Sequence, residues 1–294
     1  MKYACLVLTS ILMLSLAAAP AAAATKVFLL AGQSNMDGRG DVNELSPPYD
    51  QPQTDVKIWD YWSGGGWADL EGGFSMYPGT YFGPEVSFGH ALNELFPDDD
   101  IYLVKYALGR TNLHEDWKPD GSGVQYNTLK ATADAAIQDL ADDGLSPQVA
   151  GMIWLQGERD SQFAEMAAAY EENLTNLIET VREDFSADDM PFIIGRISTY
   201  FGDYNAQVRA AQVAVAEQMD NVGWVDTDDL LWVYDNPGHY NAAGQIELGD
   251  RFADGIAEIP EPSTLVLLLA ALAAFSLLAW IGNIAWSRIS LSDC

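Results

Sequence analysis

The chain has 294 residues, with 43 acidic against 14 basic side chains and a formal net charge of −29. That charge excludes nucleic acid as a partner and repels anionic lipid headgroups, but leaves neutral ligands untouched. The two cysteines, Cys5 and Cys294, stand near or at the ends, so the region between them is held by packing alone, without a disulfide.

In chain order, residues 1–24 carry Lys2, an apolar run from Leu6 to Leu16, and Ala22-Ala23-Ala24. This order is that of a secretory signal peptide, which implies a signal peptidase as partner. Val27–Ala31 then reads as a buried strand that ends in Gly32-Gln33-Ser34-Asn35-Met36. A serine there sits at the strand edge where open α/β sheets bind ligands. Residues 38–84 show no long periodic segment and hold Pro47-Pro48, Gly64-Gly65-Gly66, Gly72-Gly73 and the aromatics Trp59, Tyr61, Trp62, Trp67, Phe74, Tyr77, Tyr81 and Phe82. The stretch reads as a long loop whose aromatics either stack on sugar rings or form a satellite core.

Pro84–Phe96 reads as a helix with a structural His90, and Asp98-Asp99-Asp100 as an acidic turn without calcium-ligand spacing. Further strands are expected at Ile101–Ala107, Gly151–Gln156, Phe192–Ile197 and Val222–Asp226, each a short run rich in branched apolar residues. Helical periodicity covers Asn127–Asp143, Gln162–Phe185, Tyr204–Met219 and Ala242–Ala257. The alternation predicts one α/β domain over residues 25–258, with about five parallel strands flanked by helices. Finally, Leu265–Trp286 is broken only by Ser276 and Asn283, long enough to span a bilayer.

If Ser34 is a nucleophile, it needs a general base. Of the three histidines, His239 is preferred to His114, because it follows the last strand and falls at the same sheet edge as Ser34. A carboxylate should hold the imidazole tautomer; Asp235 is nearest in sequence, and Asp226, Asp228 and Asp229 are close. Oxyanion donors are expected from the amides of Ser34 and Gly109 and from the carboxamide of Gln156, all at strand C-termini.

Four blocks carry a family resemblance: Gly32-Gln33-Ser34-Asn35-Met36, Gly109-Arg110-Thr111, Trp154-Leu155-Gln156-Gly157-Glu158-Arg159-Asp160, and His239-Tyr240-Asn241-Ala242-Ala243-Gly244. They resemble those of SGNH-type esterases, and more narrowly the sialate O-acetylesterase and carbohydrate esterase family 6 group, which includes acetylxylan esterases. The resemblance covers about residues 26–256 and implies a flavodoxin-like SGNH hydrolase domain. It implies Ser34 as nucleophile, Gln156 as oxyanion donor in place of an asparagine, and His239 as base, with Gln33, Asn35, Glu158 and Asp160 in support. It implies neither metal nor cofactor. The sequence departs from the family in two places. Arg110 stands where a second glycine is usual, and Asn236 occupies the usual aspartate position, leaving Asp235 one residue farther from His239.

Pro260-Glu261-Pro262-Ser263 before the apolar run resembles a PEP-CTERM sorting signal, although Arg288 is the only basic residue in the tail. It implies an exosortase-type processing enzyme, membrane attachment over residues 259–294 before processing, and export to the envelope or matrix of a Gram-negative bacterium. The expected activity is removal of O-acetyl groups from carbohydrate through an acyl-enzyme on Ser34. The alternatives are a lipid or thioester acyl hydrolase on the same fold, which would need an aliphatic pocket, and a non-catalytic carbohydrate-binding surface protein.

Overall fold

The computed structural model describes residues 23–259. The expected leader, save its last two residues, and the expected sorting segment beyond residue 259 lie outside the described residues. Among the described residues no helix is long and apolar enough to cross a membrane. The chain divides into residues 1–256 and 257–294, and the fold below is that of the first unit.

The strands in chain order are β1 (Thr25–Gly32), β2 (Gly40–Asp41), β3 (Gln53–Asp60), β4 (Trp67–Leu70), β5 (Tyr81–Phe82), β6 (Asp100–Ala107), β7 (Pro147–Leu155), β8 (Phe192–Gly195), β9 (Val222–Val225), β10 (Trp232–Val233) and β11 (Asn236–Tyr240). Seven of them form one sheet in the order β4-β3-β6-β1-β7-β8-β9. All neighbours are parallel except the edge pair β3–β4. The helices are α1 (Ser34–Asp37, one turn), α2 (Glu85–Leu95), α3 (Val124–Asp142), α4 (Ala164–Asp184), α5 (Asn205–Gln218) and α6 (Ala242–Glu258).

All five expected strands and all five expected long helices are present, and two further strands join the sheet. Both come from the stretch expected to be a loop. β3 buries only Val56, Ile58 and Asp60 on its inward face, too short an alternation to stand out, and β4 is a four-residue edge. Trp59, Trp62 and Trp67 pack against the main core of the sheet and not in a separate satellite cluster.

β1 is buried at every position, because β6 and β7 pair along both its edges. On α3 the expected stripe Leu129, Ala133, Ala136 and Leu140 is buried. Each fully buried leucine or isoleucine contributes about 1.5–3 kcal/mol, which lets the core hold without a disulfide.

From β1 the chain runs outward to β3, returns to β6 beside β1, then crosses to β7 and continues to β9 on the other side. The reversal of direction places the C-terminal end of β1 at the topological switch point, where such sheets bind ligands. Gly32 ends that strand with φ +148°, and a Cβ there would lie 2.1 Å from the carbonyl oxygen of Leu155. Only glycine fits. The approach lets the Gln33 amide donate to that same carbonyl at 2.9 Å, and the chain then turns directly into α1.

Candidate active site

Ser34 opens α1, and its Oγ lies 2.9 Å from Nε2 of His239, 205 residues away. Asn35 is the joint between the two. Its Nδ2 donates to the carbonyl of Gly238 and to Oε1 of Glu158, both at 3.0 Å. Its Oδ1 accepts from the backbone N–H of Tyr240 at 3.2 Å. The residues on either side of His239 are thus pinned to the residue after Ser34. Gln245 of α6 adds a bond to the Asn35 carbonyl at 3.2 Å.

The imidazole of His239 is lowered to about 4, first by burial and then by the positive charges of Arg39 and Arg110. It is therefore neutral at pH 7, with a lone pair ready for the serine proton. The tautomer that accepts at Nε2 carries its hydrogen on Nδ1, and among the described residues the buried Nδ1 has no hydrogen-bond partner. Phe201 meets the ring edge-on at 6.0 Å.

The structure does not bring Asp235 to that nitrogen. Val233 pairs with Asn236 across β10–β11, so Tyr234 and Asp235 form the tip of a hairpin and are exposed. The other candidate carboxylates are engaged elsewhere: Asp226 and Asp228 with Arg196, and Asp229 with Arg251. Ser34 and His239 stand as a pair, and Asn35 holds the imidazole by its backbone neighbours in place of a carboxylate on the ring.

Gly109 lies against Ser34, since a Cβ on it would sit 3.3 Å from Cβ of Ser34. Among the described residues, the N–H groups of Ser34 and Gly109 donate to no protein acceptor. Gln156 is arranged differently from the expectation. It is fully buried, and its carboxamide nitrogen already donates to the Thr111 carbonyl at 2.9 Å and to Oδ2 of Asp160 at 2.6 Å. Both hydrogens are spent, so Gln156 braces the ends of two strands instead of presenting a free donor. Gln33 holds its Oε1 3.4 Å from that nitrogen.

Asp160 is buried and gathers the N–H groups of Leu113 and His114 as well as Gln156; burial pushes its carboxyl up to about 6. Glu158 is pushed up to about 7, again mainly by burial, and its Oε2 has no partner among the described residues. Both act on the framework of the site, in line with the buried-network alternative. His114 is tied in through its own backbone and His90 packs edge-on to Tyr49 at 5.0 Å.

A second buried network was not anticipated. Lys105, in the middle of β6, pairs with Glu85 at 2.7 Å and donates to the carbonyls of Asp37 and Phe74. Asp37 in turn accepts from the Met76 N–H at 2.8 Å and pairs with Arg39. The end of α1 is thereby clamped from below. The available signal was the lysine itself, since a cation inside a doubly covered apolar strand must be paired.

A family model described as "Carbohydrate esterase, sialic acid-specific acetylesterase" matches residues 24–258. The chain belongs to this family. Membership makes it a carboxylic ester hydrolase of the carbohydrate esterases. It is 28% identical over 243 residues to a probable carbohydrate esterase of Arabidopsis thaliana, covering 76% of this chain and 87% of that one. An X-ray structure of an Arabidopsis thaliana protein superposes with a TM-score of 0.68 at 26% identity, covering 80% of this chain and 98% of that one. The crystal structure of NanS superposes with a TM-score of 0.62 at 17% identity, over 80% and 97% of the two chains. A carbohydrate acetylesterase from Xanthomonas citri gives 0.59 at 17%, over 79% and 56%. The last two show the shared α/β fold.

Proposed function

We propose that this protein is a serine esterase that removes O-acetyl groups from carbohydrate. His239 takes the Ser34 proton as Oγ attacks the acetyl carbonyl, and the amides of Ser34 and Gly109 receive the developing oxyanion. The sugar leaves with the proton from His239, and the acetyl group stays on Ser34. Water activated by the same imidazole then releases acetate. The observation that carries this proposal is the 2.9 Å contact between Ser34 and His239 at the switch point. Acetyl specificity is supported by family membership.

The test is Ser34→Ala. Turnover of an activated acetyl ester should fall by about 10⁴-fold, with an unchanged thermal transition. Full turnover in that variant would sink the mechanism. A chain-length series separates the lipid-acyl alternative, which predicts activity rising beyond propionyl. The leader-like residues 1–24 and the apolar run Leu265–Trp286 support an exported, surface-anchored enzyme; recovery wholly in the cytosolic fraction would count against that.

A further inference from the structure

Of the 14 basic residues, Lys2 and Arg288 lie outside the described part. Among the described residues, every other lysine and arginine save one is tied to a carboxylate, carbonyl or carboxamide oxygen, in ion pairs or in bonds such as those of Arg159 and Arg182. Arg110 is the one that makes neither a hydrogen bond nor an ion pair, and it is exposed. In a chain with this excess of acid, an uncommitted guanidinium is unexpected, because carboxylates compete for every cation.

Its position is specific. Arg110 follows Gly109, the residue packed on Ser34, and its charge reaches the His239 ring. Its backbone is left-handed, φ 68°, a conformation that costs a side-chain-bearing residue about 1 kcal/mol or more. The nearby Arg39 is already committed to Asp37 and the Gly38 carbonyl. The free fork of Arg110 matches a carboxylate, which a guanidinium binds through two parallel N–H bonds.

We propose that Arg110 anchors a carboxylate on the sugar bearing, or next to, the scissile acetyl ester, so that the enzyme selects acidic acetylated glycans. This rests on the esterase function proposed above. Without a local cation, a surface carrying −29 charges would disfavour such a substrate, so a preference for it requires a device of this kind.

The experiment compares kcat/KM on O-acetylated xylo-oligosaccharide, O-acetylated oligogalacturonate and O-acetylated N-acetylneuraminate, for the wild type, Arg110→Gln and Arg110→Gly. Glycine suits the positive φ, so at least one variant keeps the fold, which a melting curve checks. The expected result is a wild-type preference for an acidic substrate, with the acidic-to-neutral ratio falling about tenfold in both variants through KM. A fall on the galacturonate arm assigns a uronate polymer; a fall on the neuraminate arm assigns a terminal acidic sugar. A ratio that the variants leave unchanged, or a wild-type preference for the neutral substrate, overturns the role of Arg110 alone. Absence of turnover on every ester overturns the esterase function and this proposal with it.

Discussion

The two halves of the Ser34–His239 pair are held in opposite ways. Ser34 sits on a turn that is fixed from every side. Gly32 presses it onto β7, Lys105 and Asp37 clamp its far end, and Asn35 and Asp37 are fully buried. His239 arrives on a short hairpin whose tip is in solvent, with Tyr234 wholly exposed and the ring's Nδ1 unpartnered among the described residues. The contrast teaches where precision is required. For the proposed esterase, the direction of Ser34 and the adjacent amides must be set to a fraction of an ångström, whereas the imidazole needs only its contact with Ser34 held firmly, and Asn35 supplies the tie.

If that contrast is right, disturbing the serine side should cost stability and disturbing the hairpin tip should cost nothing. The largest effect is expected from Lys105→Met, which strands a buried Glu85 and removes two carbonyl bonds. Unfolding in urea should show a loss of about 3–5 kcal/mol. Replacing both partners, Lys105→Met with Glu85→Leu, should recover much of it; a single variant as stable as the wild type breaks the comparison.

Next is Asn35→Ala. It frees the Gly238 carbonyl and the Tyr240 N–H together, so stability should fall by about 2 kcal/mol and kcat by about a hundredfold. A melting shift with kcat intact would mean that His239 is positioned by something other than Asn35.

The smallest effect belongs to Asp235→Asn, expected to leave kcat/KM within about twofold. The acid limb of its pH profile should stay where the His239 imidazole protonates, at about 4, since activity is present above that value and lost as the base takes a proton below it. A partner on Nδ1 would instead make this variant lose about 10⁴-fold.

The sheet's centre and the meeting of Ser34 with His239 are legible in the sequence. An unbroken apolar run ending in a glycine marks a central parallel strand, and with three histidines the base could be found by its place after the last strand. What escaped notice depends on distance along the chain or on the path of a loop. Lys105 meets Asp37 across 68 residues, and no local pattern announces the pairing. Asp235 has the spacing from His239 that suggests a partner, but the pairing of Val233 with Asn236 turns that position outward. Gln156 stands just past the end of β7, as the apolar run indicates, yet its bonding depends on Asp160, four residues on, which captures the amide. β3 escaped because an edge-side strand with three inward positions has too little periodicity to read.

The 205-residue separation of Ser34 and His239 has a kinetic side. Loop entropy grows slowly, about 0.6 kcal/mol for each doubling of length, so joining the two ends of the domain is not costly in itself. It is rewarded only after the strands between them have docked, because β6 and β7 must flank β1 before the turn carrying Ser34 has a fixed direction. The turn after β1 and the late strand β11 meet through the Ser34–His239 contact and the bonds of Asn35 to Gly238 and Tyr240, so a chain that has not yet reached β11, whatever else it has folded, holds Ser34 without its imidazole partner.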